Sequence, residues 1–240
     1  MHGMSSEPIE PRWPRLLGLA VHEFRTPITV VAGYIRMLLK ERAGAITDQQ
    51  RKLLEEAEKS CGRLSALVAE MSDLSALEGG TASLNRGRVV LGQIVGEVIS
   101  ALPELPDRRV SVELQEGPDP VTVDGDPTRL RLALTSLLLA LRRELITSER
   151  LVVRIAGPDG RSAASRIAIA DPDRIDAVAS TDAAALVPFN EWRGGSGLSL
   201  AVARRIIVQH GGMLYGAQSE DDKAAAVVVL PRHPAAERST

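Results

Sequence analysis

From Leu17 the apolar residues Leu17, Val21, Phe24, Ile28, Val31, Ile35 and Leu38 follow one another at alternating steps of four and three, the heptad seam of a helix that turns one face to a partner. A second run, Leu54, Ala57, Cys61, Leu64, Val68 and Met71, keeps the same alternation. Between the two, Gly44 is expected to end the first helix, and Thr47 with Gln50 three residues on forms a capping box for the second. Two helices with one stripe each cannot enclose a core by themselves. Pairing two such hairpins buries all four stripes, so the pattern predicts a homodimer built as a four-helix bundle.

The rest of the composition narrows the function classes. With 240 residues, 44% hydrophobic and 25% charged, the chain matches an ordinary soluble globular protein of one or two domains, not a collagen-like, disulfide-framed or disordered one. Lys and Arg number 29 against 31 Asp and Glu, so no basic excess draws the chain onto nucleic acid or an acidic membrane face. Two Trp, two Tyr and two Phe are too few for a base-stacking platform. The one cysteine, Cys61, makes neither an internal disulfide nor a metal cluster and suits a reducing compartment. Residues 1–15 read as a flexible arm without the apolar core of a signal peptide. No stretch approaches the roughly 18 consecutive apolar residues of a membrane span. The expectation is a cytoplasmic protein with no membrane span and no nucleic-acid partner.

On the first helix lies His22-Glu23-Phe24-Arg25-Thr26-Pro27. His22 follows the seam residue Val21, so its ring is expected at the edge of the bundle, in reach of water. A lone helical histidine is usually only a solvated residue, but its neighbours add chemistry. Glu23 can accept a proton from one ring nitrogen and leave the lone pair of the other free as a nucleophile near neutral pH. Thr26 is one turn beyond His22 on the same face, where its hydroxyl can orient a water or a phosphoryl oxygen. Pro27 lacks the amide that would bond the Glu23 carbonyl, so a bend is expected beside His22.

This unbroken box within a helical hairpin resembles the phosphoacceptor box of two-component sensor histidine kinases. The resemblance implies that His22 is phosphorylated on a ring nitrogen, that Glu23 assists as base, and that Thr26 supports phosphatase chemistry on a partner response regulator. It assigns residues 16–80 to a dimerisation and phosphoacceptor domain.

Beyond the break at Glu78-Gly79-Gly80-Thr81 and a linker at Leu84 to Arg88, helical and extended patterns alternate. Val89 to Leu102, Thr128 to Leu145 and Leu198 to Gln209 read as helices. Val110 to Leu114, Val121 to Val123, Leu151 to Ala156, Ser165 to Ala170, Met213 to Ala217 and Ala225 to Leu230 read as strands, with a turn at Gly157-Pro158-Asp159-Gly160. Helices on one face of a mixed sheet form an α/β sandwich. The fold class is therefore α + α/β, an antiparallel helical hairpin followed by an α/β sandwich.

The order of elements over residues 88–232 resembles the ATP-binding domain of histidine kinases, with 233–240 left as a tail. Asp126-Pro127-Thr128-Arg129-Leu130 is similar to the start of that domain's asparagine-box helix. Gly194-Gly195-Ser196-Gly197-Leu198-Ser199-Leu200-Ala201 resembles its second glycine box, through to His210-Gly211-Gly212. There Gly195 and Gly197 let backbone amides approach a phosphate, and the helix beginning near Leu198 points its positive end at it.

The sequence also departs from the family. Ser136 and Ala140 stand where the family has asparagines, and Ala140 takes the position that ordinarily gives Mg2+ its oxygen ligand. A methyl group offers no such donor. Arg143 keeps the family's basic position for phosphate contact. Asp171 keeps the position whose carboxylate accepts from the adenine amino group, but Pro172, Asp173, Arg174 and Ile175 follow with neither expected glycine. A carboxylate at Asp173 about 4 Å from a phosphate charge costs roughly 1 kcal/mol in water and about 4 at a partly buried site. Pro188-Phe189 resembles the lid's phenylalanine box, but only Asn190 to Arg193 separate it from the second glycine cluster, a truncated lid.

Three readings follow. The first is an ATP-dependent protein-histidine kinase that uses ATP and Mg2+ to phosphorylate His22 and passes the group to an aspartate of a response regulator receiver domain. The second is a phosphotransferase, phosphatase or pseudokinase whose hairpin is competent while its ATP-like domain has become a docking scaffold. The third, a non-catalytic dimeric scaffold, leaves Glu23 and Thr26 unexplained.

Overall fold

A computed structural model of the chain describes residues 12–105, 108–145, 148–158, 164–192, 197–216 and 224–232. The chain divides into two compact units, with the boundary in the sequence between Ala82 and Ser83.

The first unit is a helical hairpin of α1 (Arg12–Leu39) and α2 (Asp48–Glu78). Helix α1 ends earlier than the glycine suggests. Its last turn closes at Leu39, Glu41 takes the left-handed conformation at φ 55°, and Gly44, at φ 116°, lies in the connecting loop. Arg51 closes that loop by donating to the Leu39 carbonyl at 3.2 Å and pairing with Glu41 at 2.5 Å. The capping box of α2 is present: the Gln50 N–H donates to Thr47 Oγ1 at 3.2 Å and the Thr47 N–H to Gln50 Oε1 at 2.8 Å. At the other end of the hairpin the Ser75 hydroxyl donates to the Pro14 carbonyl at 2.8 Å.

Each seam splits in two. Leu17, Val21 and Ile35 of α1 and Cys61, Val68 and Leu77 of α2 are buried within the hairpin. Phe24 is 51% exposed, Val31 49% and Leu64 48%. A heptad stripe on a helix of about 3.6 residues per turn is wide enough to serve two neighbours, and one antiparallel partner covers only part of it.

The second unit is built around a six-stranded sheet of order β2-β4-β5-β8-β7-β6, with β2 (Ser111–Glu116) parallel to β4 (Arg150–Ala156). The other pairs are antiparallel: β4 with β5 (Ala164–Ala170), β5 with β8 (Ala226–Pro231), β8 with β7 (Met213–Gly216), and β7 with the short β6 (Val187–Pro188). A separate ribbon pairs β1 (Gly87–Val90) with β3 (Thr122–Gly125). Strand β1 corrects the sequence reading at Val89, which pairs with Val123; helix α3 (Leu91–Ala101) begins only at Leu91. A hydrophobic strand that leads straight into an apolar helix carries no turn residue to mark the change.

Helices α4 (Pro127–Glu144) and α6 (Ser199–Gln209) match the sequence reading and pack against each other. Asp126 caps α4 by accepting from the Thr128 and Arg129 N–H groups, with Pro127 at the first turn, where its missing amide costs nothing. Helix α6 ends in Gly211 at φ 74°, and the Gly212 N–H closes back on the Ile207 carbonyl at 2.9 Å.

A further helix, α5 (Ile175–Ser180), was not anticipated. Ile175 packs with Val152 of β4 and Ala168 and Ala170 of β5. Side chains alternate along a strand, so the equally buried Leu151, Val153, Ile167 and Ile169 point to the opposite face. Hence α5 covers the face of the sheet away from these residues, and the helices do not all share one side.

Candidate functional site

His22, Glu23, Arg25, Thr26 and Pro27 are all exposed on α1, directly after the buried Val21. The local cause is the helical period. Val21 belongs to the inner seam, so the next residue is turned about 100° from it, and Thr26 returns to the face of His22 one turn later. The imidazole is therefore presented to solvent on a stiff helix, where a macromolecule can reach it. Among the described residues no hydrogen bond or ion pair joins His22 to Glu23. Helix α1 runs unbroken through Pro27, and the Thr29 hydroxyl donates to the Arg25 carbonyl at 2.8 Å beside it.

The residues expected to meet a nucleotide are arranged differently. Asp171, at the end of β5, is only 3% exposed. Its Oδ1 accepts the Arg174 N–H at 3.0 Å, its Oδ2 accepts Arg174 Nε at 2.8 Å, and its backbone carbonyl accepts the N–H groups of Arg174 and Ile175. The aspartate thus fastens the turn that leads into α5. The Ser136 hydroxyl donates to the Leu132 carbonyl of its own helix at 3.1 Å, and Ala140 is buried. The Arg143 side chain is exposed, while its carbonyl and that of Arg142 cap the end of α4 by accepting from Arg108. Gly197, at φ 60°, leads through the half-buried Leu198 into α6, whereas Gly195 lies outside the described residues. In the lid region Phe189 is buried and its N–H donates to the Leu214 carbonyl, and Glu191 pairs with Arg204 of α6 at 2.6 Å.

Among the described residues this donor set does not fit the ATP and Mg2+ that the resemblance implies. Ala140, at the position the resemblance gives to the metal ligand, is a buried methyl group, the Ser136 hydroxyl donates to its own helix, and each oxygen of Asp171, the carboxylate the resemblance assigns to adenine, already accepts a donor from Arg174.

Sequence reasoning did not assign a part to Arg174 or Ile175, yet a signal for it was present. Asp171-Pro172 repeats Asp126-Pro127, and in both the carboxylate accepts the N–H of the third residue on. Around Asp126 the electrostatics are explicit. Burial raises its pKa, but the N–H groups of Arg129, Asn85 and Thr128 outweigh that and hold the carboxyl below the usual range. Asn85 and Arg86, read as linker, are tied to this point: the Asn85 N–H donates to Asp126 Oδ2 at 2.9 Å, and Arg86 donates to the Gln209 carbonyl at 2.6 Å.

Comparison with known proteins adds to this geometry. The family described as the His Kinase A (phospho-acceptor) domain matches residues 15–80. The chain is 28% identical over 204 residues to the sensor protein GacS of Pseudomonas syringae pv. syringae, covering 80% of this chain and 22% of that protein. It is 26% identical over 218 residues to the sensor protein VanS of Enterococcus faecium, covering 89% and 56%. It therefore spans from about a fifth to just over half the length of these relatives. The crystal structure of full-length ShkA in complex with AMPPNP resembles it with a TM-score of 0.67 at 23% identity, over 92% of this chain and 46% of that one, a likeness of fold. No helix among the described residues is long and apolar enough to cross a membrane.

Proposed function

Given that the chain belongs to the two-component sensor histidine kinase family, we propose that it accepts a phosphoryl group on His22 and exchanges it with an aspartate of a response regulator receiver domain. One observation carries this reading. His22 and Thr26 share an exposed face of α1 above the buried Val21, with Glu23 adjacent.

The chemistry follows from the imidazole. A neutral ring nitrogen attacks phosphorus as the bond from phosphorus to the receiver's aspartate oxygen breaks and leaves a free carboxylate, and the proton on the other nitrogen is drawn to the Glu23 carboxylate as positive charge develops on the ring. Thr26, a turn away, orients a phosphoryl oxygen or a water, so the same face also supports hydrolysis of the regulator's aspartyl phosphate. A receiver domain needs an approach free of walls, and an exposed helix face provides it. The half-exposed Phe24, Val31 and Leu64 support pairing of two hairpins into a homodimer.

The second reading, in which the ATP-like domain serves as a docking scaffold, is favoured by the engagement of Asp171 with Arg174 and the methyl group of Ala140. Charging receiver domains with labelled acetyl phosphate and mixing them with the purified chain tests the role of His22. Acid-labile label on the chain, absent from His22→Gln, is expected. Equal labelling of the variant would overturn the assignment.

A further inference from the structure

The turn after β5 is closed by its own residues. Asp171 is 3% exposed, and each of its carboxylate oxygens receives a donor from Arg174, one from the backbone N–H and one from Nε. The guanidinium also neutralises the carboxylate, since the two form an ion pair at 2.8 Å. One residue beyond Arg174, Ile175 is sunk into the sheet against Val152, Ala168 and Ala170. A loop pinned by a buried isoleucine cannot fold back to bring its backbone amides to a ligand. On α4 the Ser136 hydroxyl is held by the Leu132 carbonyl, and Ala140 brings no oxygen. Among the described residues, then, the Asp171 carboxylate is engaged by Arg174, the turn after it is anchored by Ile175, and Ala140 supplies no oxygen for a metal.

We propose, resting on the reading of His22 above, that this chain draws its phosphoryl group from the aspartyl phosphate of a receiver domain and not from an adenine nucleotide. In the step, a ring nitrogen of His22 forms the N–P bond as the bond from phosphorus to the aspartate oxygen breaks. The electron pair of that bond returns to the aspartate as a free carboxylate, and the proton of the other ring nitrogen passes through Glu23 to water. No metal or oxidant from this chain enters the balance. The reverse step, onto a second receiver, uses the same face. The chain then stands between two aspartates in a relay, and the reaction that supplies it is the phosphorylation of the first receiver by a separate ATP-using kinase.

The full chain and His22→Gln are tested with three probes. The first is thermal unfolding with and without millimolar ATP and Mg2+, the second γ-labelled ATP with Mg2+, and the third the complete set of receiver domains of the source genome, each charged with labelled acetyl phosphate. The expected result is no nucleotide-induced rise in the unfolding temperature, no label from ATP, and label on His22 from at least one receiver. Label on His22 from ATP, or a rise in unfolding temperature with ATP, overturns the proposal and leaves the role of His22 standing. Failure of every receiver together with no label from ATP overturns the role of His22, and the proposal with it.

Discussion

The ring of His210 bridges two helices: Nε2 accepts the Asp126 N–H at 2.9 Å, just before α4, and Nδ1 lies 2.7 Å from the Ile206 carbonyl in α6. Because the Asp126 N–H can only donate, Nε2 must accept, and Nδ1 carries the proton to Ile206. The bridge needs a neutral ring, which is 1% exposed.

That arrangement sets a pH dependence. Burial holds the His210 pKa below its ordinary value of about 6.5, and Arg86 adds to this; the Ile206 carbonyl, Asp126 and Asp124 act in the opposite sense without overcoming it. In the unfolded chain the ring takes up a proton as the pH falls through about 6.5, while the folded ring stays neutral. Stability is therefore full above that pH and is lost progressively below it, until the lower folded pKa is reached. Urea midpoints of the full chain measured from about pH 8 to 5 should decline on the acid side. In His210→Leu the midpoint should be lower throughout, by about 1–3 kcal/mol at neutral pH, and the acid decline shallower. An unchanged acid decline in the variant would refute the assignment to His210.

Gly212 follows the end of α6 with almost no room. A Cβ there would stand 2.4 Å from the Val229 carbonyl oxygen and 2.8 Å from Leu230 Cδ2. The first neighbour is backbone of β8 and cannot swing aside. Gly212→Ala should destabilise the chain by about 1–3 kcal/mol or more, read as a lower urea midpoint at unchanged slope.

The exposed halves of the hairpin seams should separate dimerisation from folding. Val31 and Leu64 are half exposed, so Val31→Glu or Leu64→Glu leaves the buried Leu17, Val21, Ile35, Cys61 and Val68 in place. Sedimentation analysis should show the dimer weakened at least about tenfold, or 1.4 kcal/mol, with helical circular dichroism retained. Dimers of unchanged affinity would count against pairing through this face.

Thr47→Ala removes one half of the reciprocal cap of α2, the bond from the Gln50 N–H. The expected cost is about 1 kcal/mol. Thr47→Ser should recover most of it, which separates the cap from the loss of the threonine methyl group. Thermal or urea unfolding of both variants reads the difference.

Much of this architecture was legible because its signals are local. The heptad runs, the reciprocal pair Thr47 and Gln50, the Asp126-Pro127 helix start and the glycines after His210 all act over three to seven residues. Their physics is complete within one or two helical turns. The shared face of His22 and Thr26 was legible for the same reason, since it follows from helical period alone. Strand β1 was not, because its pairing partner β3 lies beyond α3 and β2. Helix α5 was missed although the Asp171-Pro172 pair announced a capped turn, since six residues are too few to show a period.

The sequence alone thus determined the hairpin, its caps, the exposed histidine and the α/β order that follows. Tertiary structure decided what each retained residue is bonded to. Asp171 is present at the expected position, but only the folded chain shows its carboxylate held by Arg174 and Ile175 buried against β4 and β5. The His210 bridge joins residues 84 apart, and Arg86 reaches the Gln209 carbonyl across 123. Contacts at such separations leave no periodic trace along the chain, because the strands and helices that bring the two ends together are specified by residues other than the pair itself.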